Sequence, residues 1–111
     1  MGLSSKRCVP CTAGAPALER EKAETLLSET PGWELSEDAK RIHRKLRFDD
    51  FRSAMQFAGR VGELAEQEDH HPEITFGWGY CTVAFWTHKI GGLHENDFIM
   101  AAKVNDLVEK R

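Results

Sequence analysis

At 111 residues the chain has the length of one domain with one core, and a size at which association with further copies would add stability. A net charge of -3 and a pI near 5.9 give no bulk electrostatic case for direct nucleic-acid binding. Hydrophobic residues make up 41% of the chain, yet no apolar run approaches a membrane span and no signal-peptide core follows the start, so a cytoplasmic location is expected.

Residues 1–16 are rich in Gly, Ser, Pro and Ala without sustained periodicity, which predicts a flexible N-terminal arm ahead of a folded domain spanning residues 17–111. Within the arm, Cys8-Val9-Pro10-Cys11 has the spacing of half a zinc knuckle or of a redox dithiol. No second Cys pair exists to complete a zinc site, and the motif does not join a strand to a helix, so two reduced thiols on a tail are expected. Cys81, inside an apolar run, reads as a core thiol. Met1-Gly2 is not followed by the Ser or Thr that N-myristoylation needs, because Lys6 occupies that position.

From Leu18 to Ser28, Leu18, Ala23, Leu26 and Leu27 recur among charged residues, predicting a short amphipathic helix that Thr30-Pro31-Gly32 ends. Trp33 and Leu35 then alternate with polar neighbours, and Ser36-Glu37-Asp38-Ala39 supplies a turn before Arg41 to Phe48, so a hairpin is expected. In its second strand Ile42, Arg44, Leu46 and Phe48 share one face, while Arg41, His43, Lys45 and Arg47 share the other. That basic face suits either solvent or an anionic ligand or partner chain.

Asp49 and Asp50 can cap a long helix in which Phe51, Met55, Ala58, Val61 or Gly62, and Ala65 form the apolar stripe. Gly59 and Gly62 within it suggest a close approach by another element, and Pro72 requires the helix to end by about Asp69. Glu73 to Phe76 and Tyr80 to His88 read as strands joined by a turn at Gly77-Trp78-Gly79, both faces of the second being bulky enough to be covered. After a loop at Ile90 to Leu93, His94 to Lys110 forms a final helix. The order α-β-β-α-β-β-α predicts an α+β domain: a four-stranded antiparallel sheet with helices packed on one face.

Titratable groups concentrate at Glu66-Gln67-Glu68-Asp69-His70-His71-Pro72-Glu73, where a polar helix end meets an extended segment. His70, His71 and His88 are candidates for acid and base work, with Glu66 and Asp69 available to orient them. Adjacent residues of an extended chain point apart, so His70 and His71 share a pocket only if the helix end bends there. Two other readings stand beside this one. His70 could cap the helix with the other imidazoles structural or exposed, or the three could bind a metal, although no helical i, i+4 His pair favours that. Trp78 and Trp86 could stack on a flat heterocycle or pack in a core or interface. His43 and His94 read as surface residues. Asp97 fits the first turn of the last helix without any catalytic duty, and is left outside the candidate site.

Asp69-His70-His71-Pro72-Glu73, Trp78, Thr87-His88 seventeen positions after His71, and Gly92-Leu93 leading to Asp97 together resemble the pterin-4a-carbinolamine dehydratase family over roughly Ala17 to Arg111. The resemblance implies dehydration of 4a-hydroxytetrahydropterins to quinonoid dihydropterins, a hydro-lyase reaction in recycling of the cofactor of aromatic amino acid hydroxylases, with no metal and no organic cofactor. It implies that His70, His71 and His88 occupy the catalytic histidine positions and that Glu66 supports them. It further implies a homodimer or homotetramer and, as the alternative function, a dimerisation cofactor for a homeodomain transcription factor, as in some animal members.

Overall fold

The computed structural model describes residues 2–10 and 14–110, so the Cys11 half of the spaced cysteine pair lies outside the described residues. Its elements are α1 (Arg20–Leu27), β1 (Glu34–Leu35), β2 (Ile42–Arg47), α2 (Phe51–Glu68), β3 (Glu73–Gly77), β4 (Tyr80–Phe85) and α3 (Glu95–Glu109), with short 3-10 turns at Leu3–Ser5 and His88–Ile90. The strands form one antiparallel sheet in the order β1-β2-β4-β3, as the two hairpins of the sequence require, with β2 and β4 adjacent at its centre. Among the described residues no helix is long and apolar enough to cross a membrane.

Alternation decides which sheet face is covered. Ile42 and Leu46 of β2 stand opposite Phe85 and Cys81 of β4, and with Val83 all five are buried against the helices. Burial pushes the Cys81 thiol up to about 11, which makes it an inert core group. Among the described residues the opposite face carries no helix, contrary to the expectation of cover on both sides. Its basic side chains instead lie on aromatic ones: Arg41 stands 4.2 Å above the Trp86 ring, and Lys45 stands 5.2 Å from that of Tyr80. His43 pairs with Glu34 at 3.2 Å.

Helix α2 begins where Asp50 accepts the Ser53 N–H at 2.8 Å. Its buried stripe is Ala54, Phe57, Ala58, Val61 and Ala65, which is rotated from the expected one: Phe57 enters the core, and Phe51 and Met55 are exposed. Both stripes share helical spacing, and the sheet selects the one containing the phenylalanine that meets Phe48, with ring centroids 5.4 Å apart. Nothing described packs closely on Gly59 or Gly62, since a Cβ at either would meet no atom within 4 Å.

The N-terminal segment departs most from the loose arm expected of its composition. Leu3 is buried in the core cluster, Lys103 donates to the Ser4 carbonyl at 2.9 Å, and Val9 exchanges hydrogen bonds with Asn96. Helix α3 is therefore covered on more than one side, which explains an unbroken buried run from Asn96 to Ala102. Asn105 closes the other end, accepting from Trp33 Nε1 at 2.8 Å and Arg44 Nη1 at 2.6 Å and donating to the Pro31 carbonyl.

Phe57 is 2% exposed between α2 and the sheet, so Phe57→Ala is expected to cost about 3–5 kcal/mol in urea unfolding. A loss under about 1 kcal/mol would contradict this packing.

Candidate active site

The end of α2 solves the geometric problem posed by two adjacent histidines. Asp69 adopts the left-handed conformation, with φ 54° and ψ 42°, which an aspartate tolerates better than most residues. The chain turns sharply there, the N–H groups of Asp69 and His70 both point at the Ala65 carbonyl, and Pro72 sends the backbone out into β3. His70 is consequently drawn inward and His71 outward.

The His70 side chain, 12% exposed, places Nε2 at 2.6 Å from Oδ1 of the fully buried Asp97. Its ring lies nearly parallel to that of Phe85, 6.2 Å between centroids. The other Asp97 oxygen accepts from Thr87 Oγ1 at 2.9 Å and from the His94 N–H at 3.0 Å. A carboxylate at Asp97 only accepts, so in this contact His70 Nε2 is the donor and Nδ1 is not engaged by it. His71 makes a similar but exposed pair, Nε2 to Glu66 Oε2 at 2.6 Å.

His88 reaches the same region from the far side. Strand β4 stops at Phe85 rather than His88, because Thr87 leaves the ladder for a bridge with Gly92, its N–H donating to the Gly92 carbonyl at 2.8 Å. His88 then opens a 3-10 turn, with its ring 4.7 Å from Trp86. The resulting cavity, about 440 Å³, is lined by His70, His71, His88, Asp69, Trp86 and the backbone turn at Pro72, with Thr87, Lys89, Glu68 and Asn96 around them. Cys8, Val9 and Pro10 of the N-terminal segment complete the wall.

Five of the sequence candidates therefore meet in one cavity, and Glu66 supports His71 from outside it. Trp78 is not brought there: it is 71% exposed in the β3–β4 turn, where the positive φ of Gly79 allows the reversal. Asp97, which the sequence left outside the site, is the buried partner of His70. A carboxylate in a first helical turn is commonplace, and only its burial distinguishes it. His94 is not a free surface residue either, since it caps α3, with Nδ1 accepting the Asn96 N–H at 3.0 Å. Among the described residues, no three His, Cys, Asp or Glu side chains are grouped as a shared metal would need.

Glu68 is a further charged group in the lining, its side chain 6% exposed. Burial alone would raise its pKa, but the Cys8 N–H, Lys103 and Arg7 outweigh that and hold its carboxyl below the ordinary 4.5. A depressed folded-state pKa means that this contribution to stability is complete above about pH 4.5 and lost as pH falls through the lower folded value. Glu68→Gln should therefore flatten the acid limb of stability against pH. An acid limb identical to wild type would show that Glu68 gains nothing from its partners.

The sequence matches the family described as Pterin 4 alpha carbinolamine dehydratase over residues 16–107. A Methylococcus capsulatus protein provisionally named pterin-4-alpha-carbinolamine dehydratase is 57% identical over 105 residues, which are 95% of this chain and 92% of the relative. A similarly named Cupriavidus pinatubonensis protein is 55% identical over 105 residues, covering 95% and 90%. The crystal structure of a transcriptional coactivator/pterin dehydratase from Brucella melitensis superimposes with a TM-score of 0.76 at 31% identity, covering 82% of this chain and 97% of that one. With its histidines converging on one cavity and its similarity extending along nearly its full length, the chain belongs to the pterin 4 alpha carbinolamine dehydratase family.

Proposed function

We propose that the protein dehydrates 4a-hydroxytetrahydropterins to quinonoid dihydropterins, acting as a hydro-lyase in tetrahydropterin recycling. The observation that carries this reading is the meeting of His70, His71 and His88 in one cavity beside Trp86, with His70 held by Asp97. Hydroxide is a poor leaving group, so the C4a–O bond breaks with proton donation to the hydroxyl, and water departs. The proton on the neighbouring ring nitrogen is removed as the C4a=N5 double bond forms. Imidazole suits both transfers because its charge changes near neutral pH.

Within this scheme His70 and His88 exchange protons, and His71, tied to Glu66, positions the pterin. The Asp97 contact fixes the His70 tautomer and keeps its other nitrogen available. Trp86, half-buried and beside His88, offers a flat surface on which a heterocycle can stack. The residue roles require neither a metal nor an organic cofactor, and the natural location of such a reaction is the cytoplasm.

The direct measurement is dehydration of a 4a-hydroxytetrahydropterin by purified protein, followed in the ultraviolet with and without EDTA. His70→Ala and His88→Ala are each expected to lower kcat about 10²–10⁴-fold, with wild-type turnover unaffected by the chelator. If both variants match wild type, the acid and base assignment is wrong.

A second property is favoured by a separate observation. Phe51, Met55, Phe76 and Trp78 are exposed, and the Phe51 and Phe76 rings lie 5.5 Å apart. Such an apolar surface suits a homodimer or homotetramer, and it would equally suit the alternative role of dimerisation cofactor for a transcription factor. Light scattering of purified protein should give a multiple of the 12.6 kDa chain mass, with Phe51→Ser plus Trp78→Ser shifting it toward one chain. A wild-type protein of single-chain mass would exclude self-association at this face.

A further inference from the structure

One part of the cavity wall that the proposed chemistry does not use is the segment before the family match. Cys8, Val9 and Pro10 line the cavity, whereas the matched span begins at residue 16. The segment is held by hydrogen bonds and an ion pair to α2 and α3. Val9 N–H donates to Asn96 Oδ1 at 3.0 Å, and Asn96 Nδ2 donates to the Val9 carbonyl at 2.6 Å, a reciprocal pair on a side chain that is itself 2% exposed. Next to it, the Cys8 N–H donates to Glu68 Oε1 at 3.0 Å, and Arg7 Nε lies 3.1 Å from the other oxygen of that carboxylate.

These contacts dictate what the wall can offer a ligand. The main-chain polar groups of Val9 are engaged by Asn96, and Pro10 has no N–H, so beside the Pro10 carbonyl and the Cys8 thiol the segment offers the Val9 isopropyl group and the Pro10 ring. Val9 remains 55% exposed although its backbone is anchored, an arrangement that leaves its side chain open for contact. An apolar wall facing imidazoles and an indole suits the flat, unreacting part of a heteroaromatic substrate. Neither the Val9 isopropyl group nor the Pro10 ring carries a proton to exchange.

We propose that Cys8–Pro10 is a substrate-contacting strap, seated by Asn96 and Glu68, that sets affinity for the pterin and leaves the chemical step to the histidines. This rests on the dehydratase reading of the cavity. Contacts equal in ground and transition states change KM without changing kcat, so Val9 is a specificity-determining residue and Glu68 a positioning residue acting through the strap.

Two variants and a labelling experiment test this. Val9→Gly removes the contact while leaving the anchors. It is expected to raise KM for a 4a-hydroxytetrahydropterin about tenfold with kcat changed by less than about twofold. Glu68→Ala unseats the strap and should give the same split. Alkylation of Cys8 by iodoacetamide, separated from Cys11 by peptide mass spectrometry, reports the strap directly. It should be slowed by 7,8-dihydropterin in wild type and accelerated in Glu68→Ala. An unchanged KM in Val9→Gly, or Cys8 alkylation indifferent to the pterin, overturns the proposal in an enzyme that still turns over. A wild-type protein without turnover defeats the dehydratase reading itself, and the strap proposal with it, and is recognised because every variant is equally silent.

Discussion

The buried carboxylate of Asp97 ties together three parts of the chain that are distant in sequence. It sits in the first turn of α3 and contacts His70 at the exit of α2, Thr87 at the exit of β4 and the main chain of His94 before α3. An isolated buried charge would be costly by several kcal/mol, and it is tolerable here because both oxygens have hydrogen-bond partners. The same contacts that satisfy Asp97 orient His70. Stability of the junction and placement of the imidazole are one problem with one solution.

Around that junction the fold divides its labour by sheet face. Ile42, Leu46, Cys81, Val83 and Phe85 bind the sheet to the helices, and Phe85 also backs the His70 ring. The other face holds Trp86 under Arg41, and Trp86 in turn touches His88. The cavity therefore forms where the end of the central strand leaves the sheet. Backbone there no longer serves the ladder, and side chains from several elements line one cavity.

The N-terminal segment shows how a composition poor in periodic signals can still be ordered by tertiary contacts. Gly, Ser and Pro give no helix or strand of their own, but Leu3 finds a core site, Val9 pairs with Asn96, and Glu68 collects Arg7 and the Cys8 N–H. Each partner lies some 60 or more positions away along the chain. Local sequence reading has no access to such pairings, because the favourable terms appear only once α2 and α3 are already side by side.

The sequence by itself determined the elements and their chemistry: hydrophobic alternation in β2 and β4, the capped start of α2, the stop at Pro72, and imidazoles concentrated near a helix end. These are properties of neighbours in the chain, set by backbone period and turn chemistry. Tertiary structure decided which of two possible α2 stripes is buried, sending Phe57 inward and Phe51 outward. It separated Trp86 from Trp78, two indoles that sequence could not rank, and it made Asp97, read as a first-turn carboxylate, the buried partner of His70 and His94, read as a surface residue, the cap of α3. The physical reason is common to all of them. Burial, and the pairing that burial demands, depend on what stands opposite a side chain in space, and periodicity specifies a face without specifying its partner.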